Sequence, residues 1–235
     1  MTNIPILGQK KGYFISFEGI DGAGKGHQID LLRQSLNKTG FEVTVYRSPG
    51  GTKVGEIIRD IVKDSNNTNL SQTAELLLMN ASTAQLVHEQ IIPALNRGEV
   101  VIADRFYHST IVYQAFGRQI DNNIVKATIQ YAVGDTVPDV TFMLDLPPDM
   151  AAKRTANRGT TDRFEEEESG FQARVRQGYD WLKSMEGPSK GKVVAIDASV
   201  TPEEVHNEIY RCVVARIGSM KEGSLIVDAG KKIII

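Results

Sequence analysis

YFISFEGIDGAGKGHQ, residues 13–28, decides how the rest of the chain is read. YFISFE has the short, β-branched and aromatic character of a buried strand, and Lys25 opens a segment with helical patterning. Between them lies a turn with glycine at 19, 22 and 24. A glycine-rich turn between strand and helix lets backbone N–H groups converge on phosphate oxygens, aided by the positive end of the helix. The spacing is that of the phosphate-binding pattern G-x-x-x-x-G-K-[ST], with Lys25 placed to reach the β- and γ-phosphates. One position departs from it: Gly26 stands where a hydroxyl would bind magnesium, and His27 follows. A neutral imidazole is a poor ligand for so hard a cation, which leaves Asp21, inside the loop, to hold the metal directly or through water.

Outward from the loop, strand-like and helix-like segments alternate. Residues 13–18, 41–47, 99–105, 140–146 and 192–197 read as strands. The helical segments are 25–39, 53–63, 71–97, 109–116, 121–133, 148–157, 165–185 and 201–216. Five strands separated by helices predict a doubly wound, five-stranded parallel sheet with helices on both faces. No linker divides the chain, so one domain is expected over 12–216, with an extension at 1–11 and an appendage at 217–235. The polar segment NRGTTDRFEEEESG, residues 157–170, reads as a flap between two helices.

Composition narrows the function classes. A net charge of −2 offers no basic excess for nucleic acid, and no apolar run approaches the roughly 20 residues of a membrane span. The single cysteine, Cys212, excludes an internal disulfide and suits a reducing cytoplasm; its apolar helical setting reads as a core thiol. The start of the chain has too short an apolar patch for a signal peptide. His27, His88, His108 and His206 show no metal-ligand pairing. A guanine-nucleotide switch would carry N-K-x-D, but Asn37-Lys38 is followed by Thr39-Gly40.

Five segments in order carry a resemblance to a known family: FEGIDGAGK (17–25), RSPGGT (47–52), DRFYHSTIVYQAFGR (104–118), PDVTFMLDL (138–146) and RGTTDRFE (158–165). Together they resemble the bacterial thymidylate kinases. The resemblance implies the P-loop nucleoside monophosphate kinase fold, transfer of the γ-phosphoryl of ATP to dTMP with Mg2+, and a homodimer. It assigns ATP to Gly19, Gly22, Ala23, Gly24, Lys25, Gly26 and His27, with Arg154 on the helix that precedes the flap. Arg47 and Arg105 match contacts to the acceptor phosphate, with Pro49 in the turn and Arg59 on the next helix beside them. Asp104 is expected near the waters of the metal, as are Asp21 and Glu165. In this family a transfer-promoting arginine sits in the P-loop or in the flap. Gly22 occupies the loop position, so the duty is expected of Arg158, supported by Arg163, with Arg154 as a further candidate. Lys25, Arg105, Arg158 and Asp21 are thus the expected catalytic set.

For the base and sugar, Tyr113 matches a tyrosine packed against the deoxyribose, and Ser109, Thr110 and Gln114 match polar residues near the thymine edge. Two positions depart from the family. Ser48 replaces a glutamate, and Thr83 replaces an arginine that bonds the thymine carbonyl; Met79, one turn earlier, takes the place of a residue that stacks on the base. These departures leave open an acceptor other than dTMP, such as a modified deoxynucleotide. Together with Gly26 they also leave open a nucleotide-binding relative without catalysis.

Overall fold

The computed structural model describes residues 12–156, 162–185 and 193–221, with α-helical side chains at the C-terminus through residue 217. Five strands form one parallel sheet: β1 (Tyr13–Glu18), β2 (Val43–Arg47), β3 (Val100–Asp104), β4 (Val140–Asp145) and β5 (Val193–Asp197), in the order β2-β3-β1-β4-β5. The doubly wound sheet expected from sequence is therefore present. β1 is central because both its faces are apolar: Phe14, Ile15 and Phe17 are wholly buried. On one face Ile15 and Phe17 pack with Leu32 and Leu36 of α1 (Lys25–Lys38) and with Val205, Ile209 and Val213 of the last helix. On the other, Phe14 joins Val101, Ala103, Leu86 and Ile129. Cys212 is half-buried against the first cluster, as expected of a core thiol.

The remaining helices are α2 (Lys53–Lys63), α3 (Gln72–Leu86), α4 (Ile92–Arg97), α5 (Tyr107–Thr110), α6 (Asn122–Val133), α7 (Pro148–Thr155), α8 (Ser169–Lys183) and α9 (Pro202–Lys221). Thr52 and Ser71 cap α2 and α3, accepting from the N–H of Gly55 and Ala74.

Several boundaries depart from the sequence reading. The single helix expected at 71–97 is α3 and α4 joined through a π-helical stretch, Val87–Ile91. Pro93 has no N–H to give to the turn before it, and the widened turn absorbs that loss. A second π-helical stretch, Ile111–Gly117, follows α5 and carries Tyr113 and Gln114. The helix expected from 165 begins at Ser169, because Asp162 captures the N–H groups of Phe164 and Glu165 in a turn. The helix expected to stop at 216 continues to Lys221 and takes in the first residues assigned to the appendage.

The sheet aims the C-terminal ends of β1, β2 and β3 at one crevice. In open α/β sheets ligands bind at such a place, where the strand order reverses. β1 delivers the glycine loop, β2 delivers Arg47, and β3 delivers Asp104 and Arg105.

Candidate active site

The glycine loop runs from Glu18 to α1 and follows from local sterics. Gly24 closes it at φ 92°, a left-handed geometry that favours glycine, and no side chain caps α1. The first N–H groups of that helix are thus left for an anion. Gly22, at φ 85°, is pressed on α7: a Cβ there would stand 2.9 Å from the carbonyl oxygen of Ala151. The loop therefore has no room for an arginine at this position. Beyond Gly24 and Gly26 the space is open, with nothing within 4 Å of an added Cβ.

Lys25 is buried, and its Nζ donates to the carbonyls of Gly19 (3.0 Å) and Ile20 (3.1 Å). Burial, reinforced by the charge of Arg105, pushes its ammonium down to about 8. Arg105 follows β3 with φ 66°, a strained conformation for a side chain of its size. Its guanidinium donates to Asp21 Oδ1 (2.8 Å), the Tyr179 hydroxyl (2.5 Å) and Ser109 Oγ (3.3 Å). Burial alone would raise the Asp21 carboxyl, but Arg105 and Lys25 outweigh it and hold Asp21 well below the usual carboxylate range.

Glu18 was assigned no role from sequence, yet it organises this corner. It is wholly buried, and its carboxylate accepts from the N–H of Phe106 (2.9 Å), the N–H of Ser109 (3.2 Å) and Ser109 Oγ (2.6 Å). Burial pushes its carboxyl up, against the opposing pull of Arg105. The sequence signal was available: an acidic residue ending a central apolar strand needs partners in the interior.

A cavity of about 480 Å³ opens from the loop and gathers most of the expected residues. Asp21, Gly22, Gly24, Lys25, Gly26 and His27 of the loop line it together with Arg47, Ser48, Pro49, Arg59 and Met79, and with Asp104, Arg105, Ser109 and Tyr113. Lys63, Asp162 and Phe164, which the sequence reading left out, complete the wall. Five cationic side chains (Lys25, Arg47, Arg59, Lys63, Arg105) face three carboxylates (Asp21, Asp104, Asp162), a surplus suited to phosphate groups. Arg47 is held by Glu56 (2.5 Å), whose other oxygen takes the N–H of Gly51 (2.7 Å). Glu56 thus brings Arg47 a carboxylate that Ser48 does not supply. Arg59 donates to the carbonyl of Pro49 (2.9 Å); burial, and then Arg47, lower its affinity for the proton. The Tyr113 ring lies 5.5 Å from the Arg105 guanidinium carbon and edge-on to Phe164 (5.6 Å). Burial pushes its hydroxyl up to about 12.

Other expected residues lie away from the cavity wall. Thr83, Thr110 and Gln114 are buried behind it. Gln114 donates to Glu75 Oε1 (2.9 Å), while its own Oε1 is buried with no hydrogen-bond partner among the described residues. Gly19 and Ala23 shape the loop from within; Gly19, at φ 138°, would bring a Cβ within 2.7 Å of the Leu144 carbonyl. Arg154 sits on the outer side of the loop, donating to the carbonyls of Gly22 (3.4 Å) and Ala198 (3.2 Å). Glu165 lines a neighbouring cleft that also reaches Asp21 and Tyr113. Arg158 lies outside the described residues. Arg163 is not among the residues lining the cavity; it donates to Val62 O (3.0 Å) and Glu75 Oε2 (2.5 Å).

Asp104 Oδ1 is the carboxylate oxygen with capacity to spare, being buried without a hydrogen-bond partner among the described residues. Those residues contain no cluster of three or more acidic, His or Cys side chains that would cage a metal by itself. Mg2+ characteristically binds through one or two carboxylates, with phosphates and waters completing its shell, so Asp104 beside Asp21 fits it.

A glycine loop on a central parallel strand, a buried lysine and a ring of arginines around one cavity define a P-loop phosphotransferase of the nucleoside monophosphate kinase class. The particular family follows from comparison with known proteins. The thymidylate kinase family model matches residues 17–209, and the chain belongs to that family. It is 45% identical over 199 residues to the thymidylate kinase of a Thermoanaerobacter species, covering 85% of this chain and 96% of that protein. The Halothermothrix orenii thymidylate kinase is 42% identical over 205 residues (85% and 95% covered), and that of Prosthecochloris aestuarii is 40% identical over 224 (90% and 99%).

Proposed function

We propose that this protein transfers the γ-phosphoryl group of ATP to dTMP, giving dTDP and ADP. One observation carries the reading: a single cavity joins the Lys25 loop to Arg47, Arg59 and Arg105. Such transfer needs little covalent chemistry from protein; it needs cations that align two phosphate groups and spread the charge of the moving one. Lys25 and the loop N–H groups bind the donor phosphates. Arg47 and Arg105 orient the acceptor phosphate, and Asp21 fixes the guanidinium of Arg105. Arg154 holds the outer side of the donor site. Arg158 is our candidate for the arginine that stabilises the transition state, a role supported by the lack of space at Gly22.

Asp104 and Asp21 would hold Mg2+, directly or through water, with Glu165 as an outer water-bound partner. The ion would neutralise charge on the phosphate oxygens. Pro49, Met79 and Phe164 offer flat or apolar contacts for the base, and Tyr113 for the sugar; Thr110 and Gln114 support this wall from behind. A homodimer is supported by an apolar stripe on α2, where Val54, Ile57 and Ile61 are exposed, with Leu77 exposed on α3. The single cysteine suits the reducing cytoplasm. ADP release that requires dTMP, ATP and Mg2+ together is the expected result; ADP release independent of dTMP would refute the reading.

A further inference from the structure

Ser48 and Thr83, apart in sequence, are hydrogen-bonded neighbours: their hydroxyl oxygens lie 3.1 Å apart, and both residues are buried. Ser48 faces the cavity beside Pro49 and Met79, with Thr83 directly behind it. Thr83 has two acceptors in reach, since its hydroxyl also lies 3.0 Å from the Met79 carbonyl. Residues 48 and 83 therefore act as one uncharged, hydrogen-bonded pair.

A hydroxyl is both donor and acceptor and rotates to suit its neighbours, whereas a guanidinium can only donate. The pair has two hydrogen-bonded arrangements, one closed on itself and one completed by a group in the cavity. In the first, Thr83 donates to the Met79 carbonyl and Ser48 donates to Thr83, so that a lone pair of Ser48 faces the cavity. In the second, Thr83 donates to Ser48 and Ser48 donates into the cavity. Turning Thr83 away leaves Met79 O satisfied, because residue 83 follows it by four in an α-helix and supplies its backbone N–H. The second arrangement gives up the Thr83 hydroxyl bond to Met79 and gains one from Ser48 to the cavity, an exchange of one neutral hydrogen bond for another.

We propose that Ser48 and Thr83 form a reversible reader of the exocyclic group at C4 of a pyrimidine, so that the acceptor site takes deoxynucleotides bearing either a 4-oxo or a 4-amino group. This rests on the acceptor placement proposed above. A 4-oxo group, as in dTMP, receives a hydrogen bond from Ser48 in the second arrangement. A 4-amino group, as in 5-methyl-dCMP, donates to Ser48 in the first. A site with a fixed donor leaves unpaired polar groups with the wrong base and rejects it strongly; a rotating hydroxyl pair does not.

The test measures kcat/KM for dTMP and 5-methyl-dCMP, which keep the same 5-methyl group, with the full chain, ATP and Mg2+. The two values are expected to fall within about tenfold of each other, the worth of one neutral hydrogen bond. Thr83→Val removes the acceptor that the Ser48 hydroxyl needs in the first arrangement. It should shift the ratio toward dTMP by about tenfold, and Thr83→Ser should restore it. A wild-type preference for dTMP above about 10³-fold overturns the proposal, as does a ratio unmoved in Thr83→Val. Turnover of dTMP alone overturns only this inference; turnover of neither acceptor overturns the proposed function with it.

Discussion

Glu75→Gln removes one charge from a buried network that the sequence did not announce. The Glu75 carboxylate is wholly buried at the start of α3. It accepts from Gln114 Nε2 (2.9 Å), from Arg118 Nε (3.1 Å) and Nη2 (2.9 Å), and from Arg163 Nη2 (2.5 Å). Glu167 closes the set on Arg118, so two carboxylates balance two guanidinium groups. Gln at 75 keeps the volume but leaves Arg163 facing an amide and the network one charge in excess. Breaking a buried pair in this way costs about 3–5 kcal/mol. With a urea slope of about 3 kcal/mol/M for a chain of this length, the midpoint should fall by about 1–1.7 M.

Burial pushes the Glu75 carboxyl up, but the bonds from Arg118, Gln114 and Arg163 outweigh it and hold it below its usual range. A lowered carboxyl stabilises the fold above the ordinary value of 4.5 and loses that contribution as pH falls through the lowered one. The gap between wild type and variant should therefore narrow in acid. Function should respond too, because Arg163 ties the segment beginning at Asp162 to α2 and α3, and Asp162 and Phe164 line the cavity. The KM for dTMP should rise. Urea melts followed by circular dichroism measure the stability term. A loss below about 1 kcal/mol, the scale of a surface pair, would refute the reasoning.

Gly26→Thr should fold with stability within about 0.5 kcal/mol of wild type, since an added Cβ meets nothing within 4 Å, while Gly22→Ala should lose at least about 1 kcal/mol to its φ of 85° and the Ala151 carbonyl. Thermal melts of the pair measure both, and equal melting would contradict the packing argument. Lys25 is charged below about pH 8 and neutral above it, so kcat/KM for ATP should decline beyond that value; a profile flat for a full unit above it would remove this titration from the account. Asp104→Asn should raise the Mg2+ concentration needed for half-maximal rate. Asp21→Asn should raise that concentration too, and in addition should lower kcat at saturating Mg2+ by on the order of 10²-fold, through loss of its hold on Arg105. Magnesium titrations of both variants separate the shared role from the second one, and an Asp21→Asn rate fully restored by added Mg2+ would contradict the hold on Arg105.

The strand alternation was legible because each strand is a short apolar run bounded by turns, and the glycine loop because its spacing has a steric purpose. Arg47, Asp104 and Arg105 were legible too, since they end strands that the sheet aims at one crevice. Lys63, Asp162 and Phe164 were not, because they reach the cavity only through tertiary contacts between α2 and the segment before α8. Arg163 resembled a phosphate ligand in sequence, yet the buried charge of Glu75, 88 residues away, turns it elsewhere. The π-helical stretches were hidden for a similar reason: hydrophobic spacing marks a helix without revealing its hydrogen-bond register. Ser48 and Thr83 read as two separate departures, and only their contact makes them one.

Direct observation of dTDP tests the central claim most simply. Purified chain incubated with ATP, Mg2+ and dTMP should convert dTMP to dTDP, with one ADP formed for each. ATP consumption without dTDP would contradict the account.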